Sequence, residues 1–254
     1  MKDSLFDLDG KSIVVAGAAG GLGSVLTRAL AERGARLVLG DIDEAGLARL
    51  SASWPKDKSR PSVHFMPFDI RDEAATEALV RKATDAFGAV DGALNAAGVF
   101  DFTAALDVSE AHFRHSPDVN VTGSLLFSRA ARKAMRRGGR IVHLASVSSH
   151  VANAKYVTYA SAKAALAHMV RVLAREWAPE GITVNAIGPA MIETQMSASY
   201  LKDPAFRAAA ISVIPMGRLA LADDLIGATV LLLAPAGGFI TGQTIYVDGG
   251  RTLV

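Results

Sequence analysis

Short runs of β-branched and aliphatic residues recur at 13–16, 36–39, 63–66, 90–94, 140–145, 182–187 and 244–247, and apolar residues between them fall at helical spacing. The runs are apolar at consecutive rather than alternate positions, as expected of strands covered on both faces. Helices are predicted near 22–33, 43–52, 72–87, 104–136, 156–177 and 222–234, with shorter pieces between 193 and 212. Strands alternating with helices predict an α/β chain: a doubly wound, Rossmann-type fold with a seven-stranded parallel sheet and helices on both faces. Inside the fourth helical pattern, Ser116-Pro117-Asp118 reads as a restart signal, because serine suits an N-cap and proline the first helical position, and the helix carrying Asn120 is expected to begin or kink there. Residues 51–61, with Trp54-Pro55 and several charges, read as a surface loop. No repeat or linker breaks the pattern, so residues 1–254 are expected to form one nucleotide-binding domain. Its segment at about 190–215 either covers a pocket or packs as two amphipathic helices.

With 254 residues, half of them hydrophobic, the chain can bury a sizeable core. A formal net charge of +2 gives no footing for nucleic-acid binding. Arg132, Lys133, Arg136 and Arg137 cluster before Gly138-Gly139, where cations favour the negative end of a helix. The absence of cysteine excludes disulfides, thiolate metal sites and a cysteine nucleophile. The first seven residues include acidic side chains and no long apolar stretch, so neither a signal peptide nor a membrane span is expected and a cytoplasmic location is the default. The histidines at 112, 115, 143 and 150 form no carboxylate-backed ligand spacing, and no metal is predicted.

Chemistry first shows at the end of the first strand. Gly17, Gly20, Gly21, Leu22 and Gly23 lie where a strand turns into a helix, the place where backbone can approach a phosphate and helix amides face an anion. Asp41 follows the second strand, where a carboxylate would hold two ribose hydroxyls and repel a 2′-phosphate. Gly20 and Ile42 supply no cation for such a phosphate, so NAD is predicted over NADP. The other reading is that Asp41 and Asp43 cap the next helix, a role that suits Asp43 in particular.

Tyr159 and Lys163 are four apart on a predicted helix and so share a face. An ammonium beside a phenol favours the phenolate, lowering its pKa and making the tyrosine a usable acid and base. Ser146, at the end of the fifth strand, could donate a hydrogen bond to a substrate oxygen.

From about Leu8 to Gly250 the chain resembles a short-chain dehydrogenase/reductase. The opening turn is similar to the family's Thr-Gly-x-x-x-Gly-x-Gly, with Ala16 for threonine, and Asn95-Ala96-Ala97-Gly98 to its Asn-Asn-Ala-Gly. Residues 68–70 resemble the aspartate after its third strand, residues 119–123 its active-site asparagine helix, and residues 242–250 its last strand and turn. Pro189-Ala190-Met191-Ile192-Glu193-Thr194 stands where the family has Pro-Gly-x-x-x-Thr.

The resemblance implies a catalytic set of Asn120, Ser146, Tyr159 and Lys163, with Asn120 positioning a water and Lys163 also holding the nicotinamide ribose. It further implies cofactor contacts at Asp69, Ile70, Asn95, Ala96, Gly98, Pro189, Ile192 and Thr194, alongside Tyr159 and Lys163. A helix cap is the other reading of Asp69. Between Ser146 and Tyr159, His150 and Asn153 are candidates to touch a substrate.

The expected activity is an NAD-dependent oxidoreductase moving a hydride between cofactor and a secondary alcohol or ketone, such as a polyol or sugar acid. A 3-oxoacyl carrier-protein reductase is the alternative enzyme, and a non-catalytic nucleotide-sensing regulator the alternative of another class. A small-molecule substrate, no nucleic-acid or membrane partner, and a homotetramer built through long helices complete the expectation.

Overall fold

In the computed structural model residues 4–55 and 61–254 are described, and the predicted 51–61 loop falls partly outside them. Seven parallel strands form one sheet: β1 (Ser12–Ala16), β2 (Arg36–Asp41), β3 (Val63–Pro67), β4 (Val90–Asn95), β5 (Met135–Leu144), β6 (Thr183–Pro189) and β7 (Thr244–Val247). Their order is β3-β2-β1-β4-β5-β6-β7. Consecutive apolar residues serve both faces, because neighbouring side chains of a strand point opposite ways. Ile13, Val15, Leu37 and Leu39 enter one core, and Val14, Ala16 and Val38 enter the other.

The first core is closed by α1 (Gly21–Glu32), α2 (Glu44–Ala52) and, later in the chain, the helix Ile226–Leu233, which follows a 3₁₀ turn at Ala222–Leu225. The second is closed by α3 (Glu73–Phe87), by Phe127, Ala130 and Ala131, and by Leu166, Val170 and Leu173. Fully buried Phe127, Leu79 and Leu166 anchor that layer. At roughly 25 cal/mol per Å² of apolar surface, each such side chain contributes on the order of 2 kcal/mol relative to exposure.

The fourth helical stretch differs from its sequence reading. A 3₁₀ turn at Ala105–Asp107 precedes α4 (Glu110–Pro117), whose N-cap is Ser109, its hydroxyl accepting from the His112 amide at 3.2 Å. The chain does not restart at Ser116-Pro117. Both residues are helical, and a π turn spans Asp118–Gly123 before α5 (Ser124–Ala134). Proline lacks the N–H that would bond four residues back and its ring crowds that carbonyl, and the ladder widens directly after it.

β5 begins at Met135, with a register shift opposite Val90 and Gly92. Arg136 and Arg137 therefore lie in extended chain rather than closing a helix. Arg132 pairs with Glu180, and Lys133 reaches Glu77 at 2.7 Å.

The remaining helices are α6 (Val157–Trp177), α7 (Ala198–Leu201), α8 (Pro204–Ser212) and α9 (Ile226–Leu233). α7 and α8 sit over a small separate core of Val147, Ala190, Leu201, Ile214 and Leu219. Strand order reverses between β1 and β4, where Ala16 lies beside Asn95. At such a switch point the loops leave in opposite directions and open a crevice at the strand ends.

Candidate active site

The crevice is built by backbone meeting backbone. Gly17 has φ +75°, and a Cβ there would stand 2.4 Å from the Ala97 nitrogen. A Cβ on Gly23 would meet the Gly17 carbonyl oxygen at 1.9 Å, so this turn tolerates no side chain at either position. α1 starts here with Gly20 as N-cap and no side-chain acceptor for its first amides, which leaves a donor-rich, positive helix end facing the groove.

A groove of about 440 Å³ runs from this turn past Leu22, Asp41, Ile42, Asp69, Ile70, Ala96, Gly98 and Thr194. Gly17, Gly20, Gly21 and Gly23 form its floor. Asp41 is buried and accepts from the amides of Ala19 (2.8 Å) and Asp43 (3.0 Å), which ties the carboxylate to the glycine turn. Capping of α2 falls to Asp43, which accepts from the Gly46 amide at 2.9 Å. Asp69 does not cap α3 either. Asp72 does so, accepting from Ala74 and Ala75.

The Asp69 carboxylate is gripped by the Arg71 guanidinium, down to 2.6 Å, which holds it below the usual carboxylate range. Asn95 stands apart from the groove lining. It is buried, donates to Ser124 at 2.8 Å and accepts from the Ala97 amide at 3.0 Å, so it shapes the end of β4 from behind.

A second cavity, also about 440 Å³, shares Leu22, Gly98, Thr194 and Met196 with the groove. Ser146 reaches it from the end of β5, Tyr159 and Lys163 from α6, and Pro189 and Ile192 from the end of β6. Asn120 lies next to them in the π turn, fully buried: a Cβ on Gly98 would be 2.8 Å from its Oδ1 and 3.4 Å from the Lys163 ammonium. Its side chain is held by Val99 and by the Ser116 hydroxyl. Asn153 lines the cavity, whereas His150 does not and instead tilts against the Tyr246 ring.

Lys163 is buried and donates to the Leu144 carbonyl at 2.7 Å, with its ammonium 5.7 Å from the centre of the Tyr159 ring. Burial lowers its pKa to about 8. For Tyr159 the outcome differs from the expected lowering. Burial pushes the phenol up to about 12, with a hydrogen bond to Ser146 pulling the other way and Tyr156 adding to the rise. Removing the phenolate from water outweighs a cation oriented toward a carbonyl rather than toward the phenol oxygen.

Ala190, standing where the family pattern has glycine, causes no strain, since Lys155 is the only non-glycine residue with positive φ among those described. Thr194 packs its side chain on the Gly21 site, 3.0 Å from a Cβ built there, and its amide donates to Ser197 at 2.9 Å.

Comparison with known proteins agrees with this geometry. A family model described as "Enoyl-(Acyl carrier protein) reductase" matches residues 17–252. The chain belongs to the short-chain dehydrogenase/reductase family. It is 32% identical over 250 residues to the 3-oxoacyl-[acyl-carrier-protein] reductase of Vibrio cholerae, covering 98% of this chain and 100% of that one. To the galactitol 2-dehydrogenase (L-tagatose-forming) of Cereibacter sphaeroides it is 33% identical over 254 residues, covering 98% of each. Among solved structures, a gluconate 5-dehydrogenase from Burkholderia cenocepacia, in complex with NADP and tartrate, superposes with a TM-score of 0.92. It is 30% identical, over 99% of this chain and 98% of that one.

As a member of the short-chain dehydrogenase/reductase family the protein is an oxidoreductase that binds a nicotinamide cofactor. The residues above fit such a group: a glycine cradle that a Cβ would fill, a free helix N-terminus, and Asp41 at the end of β2. Among the lining residues that sequence reading missed, three carry chemistry or shape. Phe100 and Phe102, just beyond β4, stack edge-on against Tyr159 (5.0 Å) and Tyr156 (5.5 Å), and Arg251 arrives from near the C-terminus. Two phenylalanines at alternate positions after a strand that ends in the crevice were the available signal. For Arg251 there was none.

Proposed function

We propose that this protein is an NAD-dependent oxidoreductase that interconverts a hydroxylated secondary alcohol and its ketone. The observation carrying the reading is the convergence of Ser146, Tyr159 and Lys163 on one cavity that adjoins the glycine-floored groove. A bound nicotinamide would accept or supply the hydride. Tyr159 takes the hydroxyl proton in oxidation and returns it in reduction. Ser146 donates a hydrogen bond to the reacting oxygen, stabilising the charge that develops there.

Lys163, protonated below about pH 8, holds the ribose side and keeps positive charge near the phenol. Asn120 positions a water between Lys163 and solvent. NAD is preferred because Asp41 would meet the adenosine ribose and no cation stands at position 20 or 42 to take a 2′-phosphate. The segment at 190–215 forms the cover, with Met191, Met196, Phe206 and Ala210 facing the cavity. The polyol relative supports the hydroxylated substrate class, and we propose a homotetramer.

The test is steady-state turnover with NAD and NADP on a panel of polyols, sugar acids and acetoacetyl thioesters. We expect NAD to give the higher kcat/KM and Tyr159→Phe to lower kcat by about 10²–10⁴-fold while calorimetry shows NAD still bound. Preference for acetoacetyl thioesters with NADP would favour the 3-oxoacyl carrier-protein reductase reading, which the Vibrio relative supports. NAD binding with no turnover on any substrate would favour a nucleotide sensor.

A further inference from the structure

The charge lining the substrate cavity is one-sided. Its walls are largely apolar, Lys163 and Arg251 are the only charged side chains among the lining residues, and no carboxylate is there to balance them. Lys163 is committed to the proton and ribose side. Arg251 is a different case, since it is half-buried just beyond the Gly249-Gly250 turn, whose positive φ angles of 60° and 90° bring the chain back to the cavity.

The guanidinium makes two hydrogen bonds, one from Nη2 to Asn153 Oδ1 at 3.1 Å and one from Nη1 to the terminal carboxylate oxygen of Val254 at 3.0 Å. Five N–H groups are available on that fork, so three remain for another acceptor. The nearest carboxylate in sequence, Asp248, is turned away, taking the Gly250 and Thr252 amides and the Thr252 hydroxyl. The one anionic group Arg251 meets among the described residues is the terminal Val254 oxygen, on the Nη1 side of the fork. The bond from Arg251 also engages the Asn153 amide: with Oδ1 taken, its Nδ2 is left as a donor. Lys155, whose ammonium lies 5.1 Å from the Phe102 ring, adds positive potential at the rim.

We infer that Arg251 and Asn153 form a carboxylate subsite and that the natural substrate is an organic acid, its reacting carbinol at Ser146 and Tyr159 and its carboxylate on the Arg251 fork. A planar guanidinium with parallel N–H groups matches a carboxylate bidentately, and a largely apolar surround strengthens the pairing. Neutral polyols offer the open N–H groups of that fork no carboxylate, and the cavity then loses its main basis for discrimination. The assignment rests on the hydride-transfer reading for the placement of the reacting carbon.

The test compares acids with neutral counterparts of the same skeleton on the cofactor-loaded protein: D-gluconate against D-sorbitol, and 3-hydroxybutyrate against its methyl ester. Both kcat/KM and calorimetric affinity are measured. At least one acid is expected to exceed its neutral partner by about tenfold or more. Arg251→Met should erase that preference, chiefly by raising KM for the acid, and Arg251→Lys should retain part of it. Equal handling of acid and neutral partner in both pairs overturns the subsite, as does an Arg251→Met variant that weakens acid and neutral compounds alike, which would make the arginine a staple of the C-terminal turn. Full turnover by Tyr159→Phe would instead sink the hydride-transfer reading, while the affinity comparison would still report on the subsite.

Discussion

His143 shows how much one buried side chain depends on its protonation state. It lies fully buried at the end of β5, with Ser128 Oγ 2.9 Å from Nε2 and Asn95 Nδ2 3.3 Å from Nδ1. The Asn95 amide donates to Nδ1, so the neutral ring with its proton on Nε2 satisfies every partner, and a second proton would face a donor. Burial, reinforced by the Lys163 charge, lowers its pKa to about 3. The unfolded chain takes up that proton near pH 6.5, so between about 6.5 and 3 it binds more protons than the folded protein. Stability must fall as pH drops through that window, by up to about 1.4 kcal/mol per pH unit from this residue. Urea unfolding at pH 7.5, 5.5 and 4.5 should show it, and His143→Gln should be less stable at pH 7.5 yet flatter toward acid. An equally steep acid limb in the variant would assign the effect elsewhere. Nothing in the sequence marks this histidine, because its partners come from β4 and α5, 48 and 15 residues away.

Elements separate what sequence can say from what it cannot. The inner strands were legible because burial on both faces writes an unbroken apolar run; the edge strands β3 and β7, only partly buried, were legible from their β-branched and aromatic residues. The helix ends at 44, 73 and 157 were legible to within a residue or two. Identifying caps was harder, since Asp41, Asp43, Asp69 and Asp72 look alike in sequence and only tertiary contacts assign two of them to helices and two to the groove. Asp72→Ala should therefore cost about 0.5–2 kcal/mol in thermal or urea unfolding with kcat/KM unchanged. A loss of cofactor affinity in that variant would contradict the division. The fourth helical stretch was read in part for a related reason: Ser-Pro marked the break, but Ser116 is used by Asn120 and Pro117 precedes a π turn rather than a new helix start. The catalytic candidates Ser146, Tyr159 and Lys163 were legible from spacing and resemblance. The pKa of the phenol was not, because it reports burial that a four-residue spacing cannot reveal.

For the molecule as a whole, α6 spends one face on the sheet and leaves Val157 and Val172 in solvent at 38% and 47% exposure. That apolar remainder is what the proposed homotetramer would cover. Light scattering of the native protein should give four copies, and Val172→Asp should release smaller species, whereas a native monomer at micromolar concentration would dismiss the assembly. No helix among the described residues is long and apolar enough to cross a membrane. The groove and the cavity beside it share Leu22, Gly98, Thr194 and Met196. A dinucleotide lying along the groove would also border the neighbouring cavity, through the residues the two have in common. That sharing predicts an ordered mechanism, with cofactor the first to enter and the last to leave.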